Sequence, residues 1–266
     1  MLNNKQAIID NKNIQFNLAN NTCLRIISRL ASDKELNMRL DKFICKSTEL
    51  TRTEAKSLLK SGKVRVNGEI SKNAAMQVHE NNDITVEGQS LTARQSRYII
   101  LHKPLDTICS NVDEGYPSLF HLINVDKAFD MHVAGRLDAD TTGLVLITDD
   151  GRWSHNIISP KKQCEKTYRV CLRDNIKSDS ADKFKIGVQL QGEKSLTLPA
   201  KLQVISEKEV LLTITEGKYH QVKRMFAAIG NKVVDLHREQ IGNIKLAELP
   251  IGEWRYLTEK EVSEFY

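Results

Sequence analysis

The chain has 266 residues, with 39 Lys and Arg against 34 Asp and Glu, for a formal net charge of +5. This length suggests about two domains, and a content of 40% hydrophobic and 27% charged residues excludes a disordered or fibrous chain. So mild a charge also excludes a histone-like polycation, and where the positive charge gathers matters more than its sum. The five cysteines (Cys23, Cys45, Cys109, Cys164, Cys171) include no C-x-x-C pair, which argues against a disulfide framework or a cysteine zinc site. A reduced cytoplasm is the expected compartment. No apolar run approaches the roughly 20 residues of a membrane span, and residues 1–30 lack a secretory signal.

Residues 1–37 hold eight asparagines and read as a weakly specified leader, either a true extension or sequence upstream of a start at Met38. Residues 38–88 read as a small module. Leu40, Phe43 and Ile44 recur at helical spacing. Thr51-Arg52-Thr53-Glu54 has the form of a capping box that starts a second helix, with Ala55, Leu58 and Leu59 as its apolar face and Gly62 as its end. Val64-Arg65-Val66 alternates into the tight-turn pair Asn67-Gly68, and Asp83 to Val86 reads as another strand. Residues 89–97 are polar and suit a linker.

From residue 98 onward the texture is α+β. Strands are expected over Tyr98–Leu101, Gly143–Thr148 and Lys166–Val170, near 200–206 and 209–215, and from Val233. One helix is expected over Tyr219–Ile229, with Val222, Phe226 and Ile229 on one face and Gly230 as its stop. Strands outnumber helices without regular alternation, which points to a mixed, largely antiparallel sheet. No glycine-rich nucleotide loop is present, so no cofactor is expected.

Between Arg52 and Arg65 stand five basic residues (Arg52, Lys56, Lys60, Lys63, Arg65) and one acid, Glu54. Arg52, Lys56 and Lys60 are spaced i, i+4, i+8 and line one stripe of the expected helix. Like charges so placed destabilise an isolated helix but displace counterions from a nucleic-acid backbone. A solvated helix face is the plain alternative. Arg39-Leu40-Asp41-Lys42, the basic helix and Gly62-Lys63-Val64-Arg65-Val66-Asn67-Gly68 together resemble the S4 RNA-binding domain. That resemblance implies an RNA-facing surface that includes Arg39 and the five basic residues.

The densest polar constellation is His132 to Leu144, a loop that delivers Asp138, flanked by Arg136 and hydroxyls, into the start of an apolar strand. A carboxylate there can be a nucleophile, a general base, a metal ligand or a structural cap. Asp138 and Asp140 have no matching third ligand nearby, so no metal is expected.

Gly135-Arg136-Leu137-Asp138-x-x-Thr141-x-Gly143-Leu144 resembles the signature of the RsuA/RluA class of pseudouridine synthases. Lys103-Pro104, Cys164 to Tyr168 and Glu216 to Phe226 match that class's further motifs in order, behind the S4-like module. The resemblance spans Met38 to about Glu264 and implies a pseudouridine synthase domain over 98–266, its sheet arranged in two lobes. It also implies Asp138 as the catalytic residue, Lys223 as its basic partner, and Tyr168 stacked on the target base. Arg136 would fill the space left by a flipped uridine, and Arg224 would contact phosphate; Arg136 could equally be a plain salt bridge to Asp138 or Asp140. Glu216 to Phe226 is most similar to the small-subunit branch, whose target is the uridine at position 516 of 16S rRNA. The expected partner is therefore 16S rRNA or a small-subunit assembly intermediate, met by a monomer without a membrane. A 23S rRNA enzyme, a non-catalytic RNA-binding assembly protein and a metal-dependent hydrolase are the alternatives.

Overall fold

In the computed structural model, residues 38–79 and 81–266 are described, and the chain divides into two units between Gln95 and Ser96. The expected leader, 1–37, lies outside the described residues.

The first unit begins with β1 (Met38–Arg39) and α1 (Leu40–Ser47), followed by α2 (Arg52–Lys60), β2 (Val64–Val66), β3 (Glu69–Ile70), β4 (Gln77–Val78), β5 (Ile84–Val86) and β6 (Gln89–Ser90). The capping box forms as spelled: Thr51 Oγ1 accepts from the Glu54 amide, and the Glu54 carboxylate accepts from the Thr51 amide at 2.8 Å. Asn67 and Gly68 take φ of +52° and +84°, the double left-handed turn whose twist matches antiparallel strands, and so join β2 to β3. Glu87 and Gly88 repeat the device between β5 and β6. The sheet order is β3-β2-β5-β6, with β1 paired to β4. Leu40, Ile44, Ala55, Leu59, Val64 and Ile84 are fully buried between the helices and this sheet. The polar stretch after residue 88 is not all linker: β6 pairs with β5, and Leu91 joins the core. A Thr51→Ala chain should lose about 1 kcal/mol of the stability of this unit, read as a lower urea midpoint by circular dichroism.

The second unit contains β7 (Tyr98–Lys103), β8 (His132–Ala134), β9 (Thr142–Thr148), α3 (Gly151–Ile158), β10 (Lys166–Leu172), α4 (Ser180–Ile186), β11 (Lys201–Ser206), β12 (Glu209–Ile214), α5 (Gln221–Ala228), β13 (Val233–Ile241), β14 (Ile244–Lys245), β15 (Trp254–Tyr256) and α6 (Glu259–Ser263). The main sheet runs β11-β12-β10-β13-β9-β7-β15, with β8 beside β9 and β14 beside β13. Its pairings are antiparallel except one: β9 and β13 run parallel through Thr142–His237 and Gly143–Arg238.

Alternate residues of the central strands feed two apolar clusters, as a pleated strand requires. Ile99, Leu101, Val145 and Ile147 join Val170, Val210 and Phe226 in one, while Ile100, Leu144 and Leu146 join Trp153, Ile157 and Ile241 in the other. The two halves of the domain thus share one continuous sheet. Asp150 does more than end β9. Its Oδ1 accepts from the Arg152 and Trp153 amides and caps α3, while Oδ2 accepts from the Tyr98 and Tyr266 hydroxyls at 3.0 and 2.8 Å. Trp153 is fully buried, and its indole N–H donates to Val262. α5 starts at Gln221, two residues later than the sequence suggests, because His220 adopts φ +48° and cannot continue a helix backwards.

Candidate active site

Asp138 stands on the loop between β8 and β9, and buried cations hold that loop in place. Lys103, fully buried at the end of β7, donates to the carbonyls of Thr141, Ala139 and Pro104 at 2.9, 3.3 and 2.9 Å. Burial pushes its pKa down, and the carbonyls supply the acceptors that a buried ammonium needs. Arg238, 1% exposed in the middle of β13, donates Nη2 to Gly135 at 2.6 Å and Nε to Leu144 at 2.7 Å. Its Nη1 donates to the Tyr168 hydroxyl at 3.3 Å, and the guanidinium lies 5.8 Å from the centroid of that ring. A third buried cation, Lys166, donates to the carbonyls of Ile157 and Cys164. Leu137 points inward, its amide donating to Cys109 Sγ, and this turns the next side chain outward.

The Asp138 carboxylate is 31% exposed and is met on both oxygens. Lys223 Nζ, from the first turns of α5, lies 3.2 Å from Oδ2, and His220 Nε2 lies 3.4 Å from Oδ1. Lys223 also donates to Asp140 at 2.5 Å. Burial opposes the Lys223 charge, but Asp140 and Asp138 outweigh it and raise its pKa. The hydrogen bond from Lys223 holds Asp140 below the usual carboxylate range. Lys223 thus stands between the two carboxylates; no group of three His, Cys, Asp or Glu side chains suited to a metal occurs among the described residues. A cavity of about 460 Å³ opens beside this pair, lined by Asp140, Lys223, Arg173, Asn231 and Lys232 among others.

Of the residues singled out in the sequence, Asp138 and Lys223 meet directly, and Tyr168, 7% exposed, is tied to the Asp138 loop only at Gly135, through Arg238. Arg136 is exposed on the same loop, and the salt bridge to Asp138 or Asp140 considered for it is made by Lys223 instead. Arg224, expected at phosphate, donates to Glu193, to the Tyr219 carbonyl and to the Gln191 carbonyl. In the first unit Arg52, Lys56 and Lys60 line an exposed stripe of α2. Arg39 makes a two-pronged bond to the buried Asp41, Lys63 pairs with Glu87, and Arg65 donates to Gly68. Sequence reasoning missed His220, Arg238 and the loop-bracing work of Lys103. For the last two a signal existed: each falls in the same alternation as buried apolar residues, Lys103 after Ile99 and Leu101, Arg238 after Leu236.

Residues 97–228 match the family model described as RNA pseudouridylate synthase, and residues 38–84 match the S4 domain. A ribosomal small subunit pseudouridine synthase A from Vibrio cholerae is 55% identical over 86% of this chain and 100% of its own length. The chain belongs to the pseudouridine synthase family. The synthase of the same description from Escherichia coli K12 is 50% identical, over 85% of this chain and 99% of its own. A crystal structure of a pseudouridylate synthase superposes on this enzyme with a TM-score of 0.64 at 47% identity, covering 86% of this chain and 100% of the other. Among the described residues the synthase has no helix long and apolar enough to cross a membrane.

Proposed function

We propose that this synthase converts a uridine of 16S small-subunit rRNA, the one at position 516, to pseudouridine, with Asp138 as nucleophile. The observation that carries the mechanism is the Asp138–Lys223 pair on a loop braced from beneath. An ammonium 3.2 Å from Oδ2 fixes the position of the carboxylate, and the bracing leaves little reorganisation to be made during reaction. The substrate reading is supported by relatives named for the small subunit that span nearly their whole length here.

In this reading the target uridine leaves its stack, at a cost of a few kcal/mol, and Arg136 occupies the vacated space. Asp138 acts at C1′ as the C1′–N1 bond breaks. The uracil turns, C5 displaces the Asp138 carboxylate oxygen from C1′ as the C1′–C5 bond forms, the C5 proton leaves and N1 gains a proton, so Asp138 is regenerated and substrate and product have the same atoms. Tyr168 stacks on the base, its hydroxyl oriented by Arg238. Arg52, Lys56 and Lys60 contact RNA phosphates from the S4 module, and Lys63, Arg65 and Arg39 add to its positive charge.

Carbodiimide–primer extension on rRNA from cells with and without the gene tests this directly. The expected result is loss of the stop at position 516 of 16S rRNA in the deletion strain, restored by the wild-type gene. Loss of a 23S stop with 16S unchanged would replace the proposal with the large-subunit reading.

A further inference from the structure

Tyr219 and His220, just before α5, form a stacked pair with ring centroids 3.8 Å apart and planes inclined by 22°. His220 reaches the nucleophile loop, with Nε2 3.4 Å from Asp138 Oδ1. Tyr219 is 76% exposed: one face of its ring is covered by the imidazole, and most of the remainder is open. The mount beneath it is fixed. The left-handed His220 sets the turn, and Arg224 donates both to the Tyr219 carbonyl at 2.9 Å and to Glu193 at 3.3 Å. Lys218 pairs with the same Glu193 at 3.3 Å. An open aromatic ring on a rigid support, one imidazole away from the reacting carboxylate, has the properties of a base-stacking platform. Every nucleobase has a π-face to offer, and proteins that hold unpaired RNA use such rings for that purpose.

We propose that the exposed face of Tyr219 is a stacking subsite for a nucleobase next to the target uridine, so that Asp138, His220, Tyr219 and that base form one continuous ladder. The inference rests on the reading of this chain as an enzyme acting on RNA uridine. Arg224 then serves the substrate indirectly, by fixing the Tyr219 backbone. Stacking tolerates any base, so the subsite contributes hold rather than sequence.

The test uses the full chain and rRNA substrates in which the nucleotide 5′ or 3′ of the target uridine is replaced, one at a time, by an abasic ribose. Single-turnover rates are followed against protein concentration. With wild-type protein, one of the two replacements should raise the half-saturating concentration about 5- to 100-fold. Tyr219→Ala should show a rise of the same size on intact RNA and less than a further twofold on that abasic RNA, because ring and base are then lost from one interaction. Tyr219→Phe, which keeps the ring, should stay within twofold of wild type on each substrate. Multiplying effects, or an unchanged half-saturation for Tyr219→Ala, would overturn the subsite while leaving the enzyme's activity established. Failure of the wild-type protein to isomerise intact RNA would overturn the functional reading and the subsite with it.

Discussion

An Asp138→Asn enzyme should lose at least about 10³-fold in the rate of pseudouridine formation while keeping its thermal midpoint within a few degrees of wild type. The first part follows from chemistry: an amide oxygen is a poor nucleophile toward C1′, and removing a nucleophile commonly costs several orders of magnitude. The second follows from the charges around it. Lys223 keeps Asp140 as a partner at 2.5 Å, so the substitution strands no buried ammonium, and Asn matches Asp in shape. The loop itself is held through the carbonyls of Gly135, Ala139 and Thr141, not through the Asp138 side chain. Tritium release from rRNA labelled at uridine C5 gives the rate, and a melting curve gives the stability. A variant with more than a tenth of wild-type turnover would remove Asp138 from the nucleophile role.

Gly143→Ala should be strongly damaging to the second unit, costing about 3 kcal/mol or more and lowering the thermal midpoint by roughly 6–12 °C. Gly143 has φ +115°, and a Cβ there would lie 2.4 Å from the Arg238 carbonyl oxygen and 2.5 Å from its amide nitrogen. Both obstacles are backbone, so no side chain can swing aside. Relief requires β9 and β13 to part at their parallel junction, which pulls Arg238 away from Gly135, Leu144 and Tyr168. Activity should therefore fall even at temperatures where the variant remains folded. Gly151 at the start of α3 is the control: a Cβ there meets nothing within 4 Å, and Gly151→Ala should be neutral or slightly stabilising. Equal melting temperatures for the two variants would contradict this account of the junction.

Local structure was legible in the sequence where local chemistry decides it. The Thr51–Glu54 box, the Asn67-Gly68 turn and the alternation from Lys166 to Val170 each specify their element within a few residues, and each forms, the strand running two residues further to Leu172. The pairing of Asp138 with Lys223 was legible only through the resemblance of two separated motifs, since the two stand 85 positions apart. What stayed hidden depends on tertiary burial. Charge normally marks an exposed position, so Lys103, Lys166 and Arg238 read as surface, although each keeps step with an apolar stripe. Their partners are main-chain carbonyls, which carry no sequence signature. His220 was obscured for a different reason: a residue inside an expected helix gives no hint that it will take a left-handed turn and face a carboxylate on another loop.

The junction of β9 with β13 also sets a timetable for the molecule. Residues 142 and 237 meet there, and such a long-range parallel pairing forms only after the intervening chain has been made and folded. During synthesis from the N-terminus, the S4 module and the strand that follows Asp138 emerge well before β13 does. Until Arg238 arrives, Gly135, Leu144 and Tyr168 lack the side chain that gathers them, and Lys223 precedes it by 15 residues. A nascent chain thus exposes its S4 module early and completes the bracing of the Asp138 loop almost last.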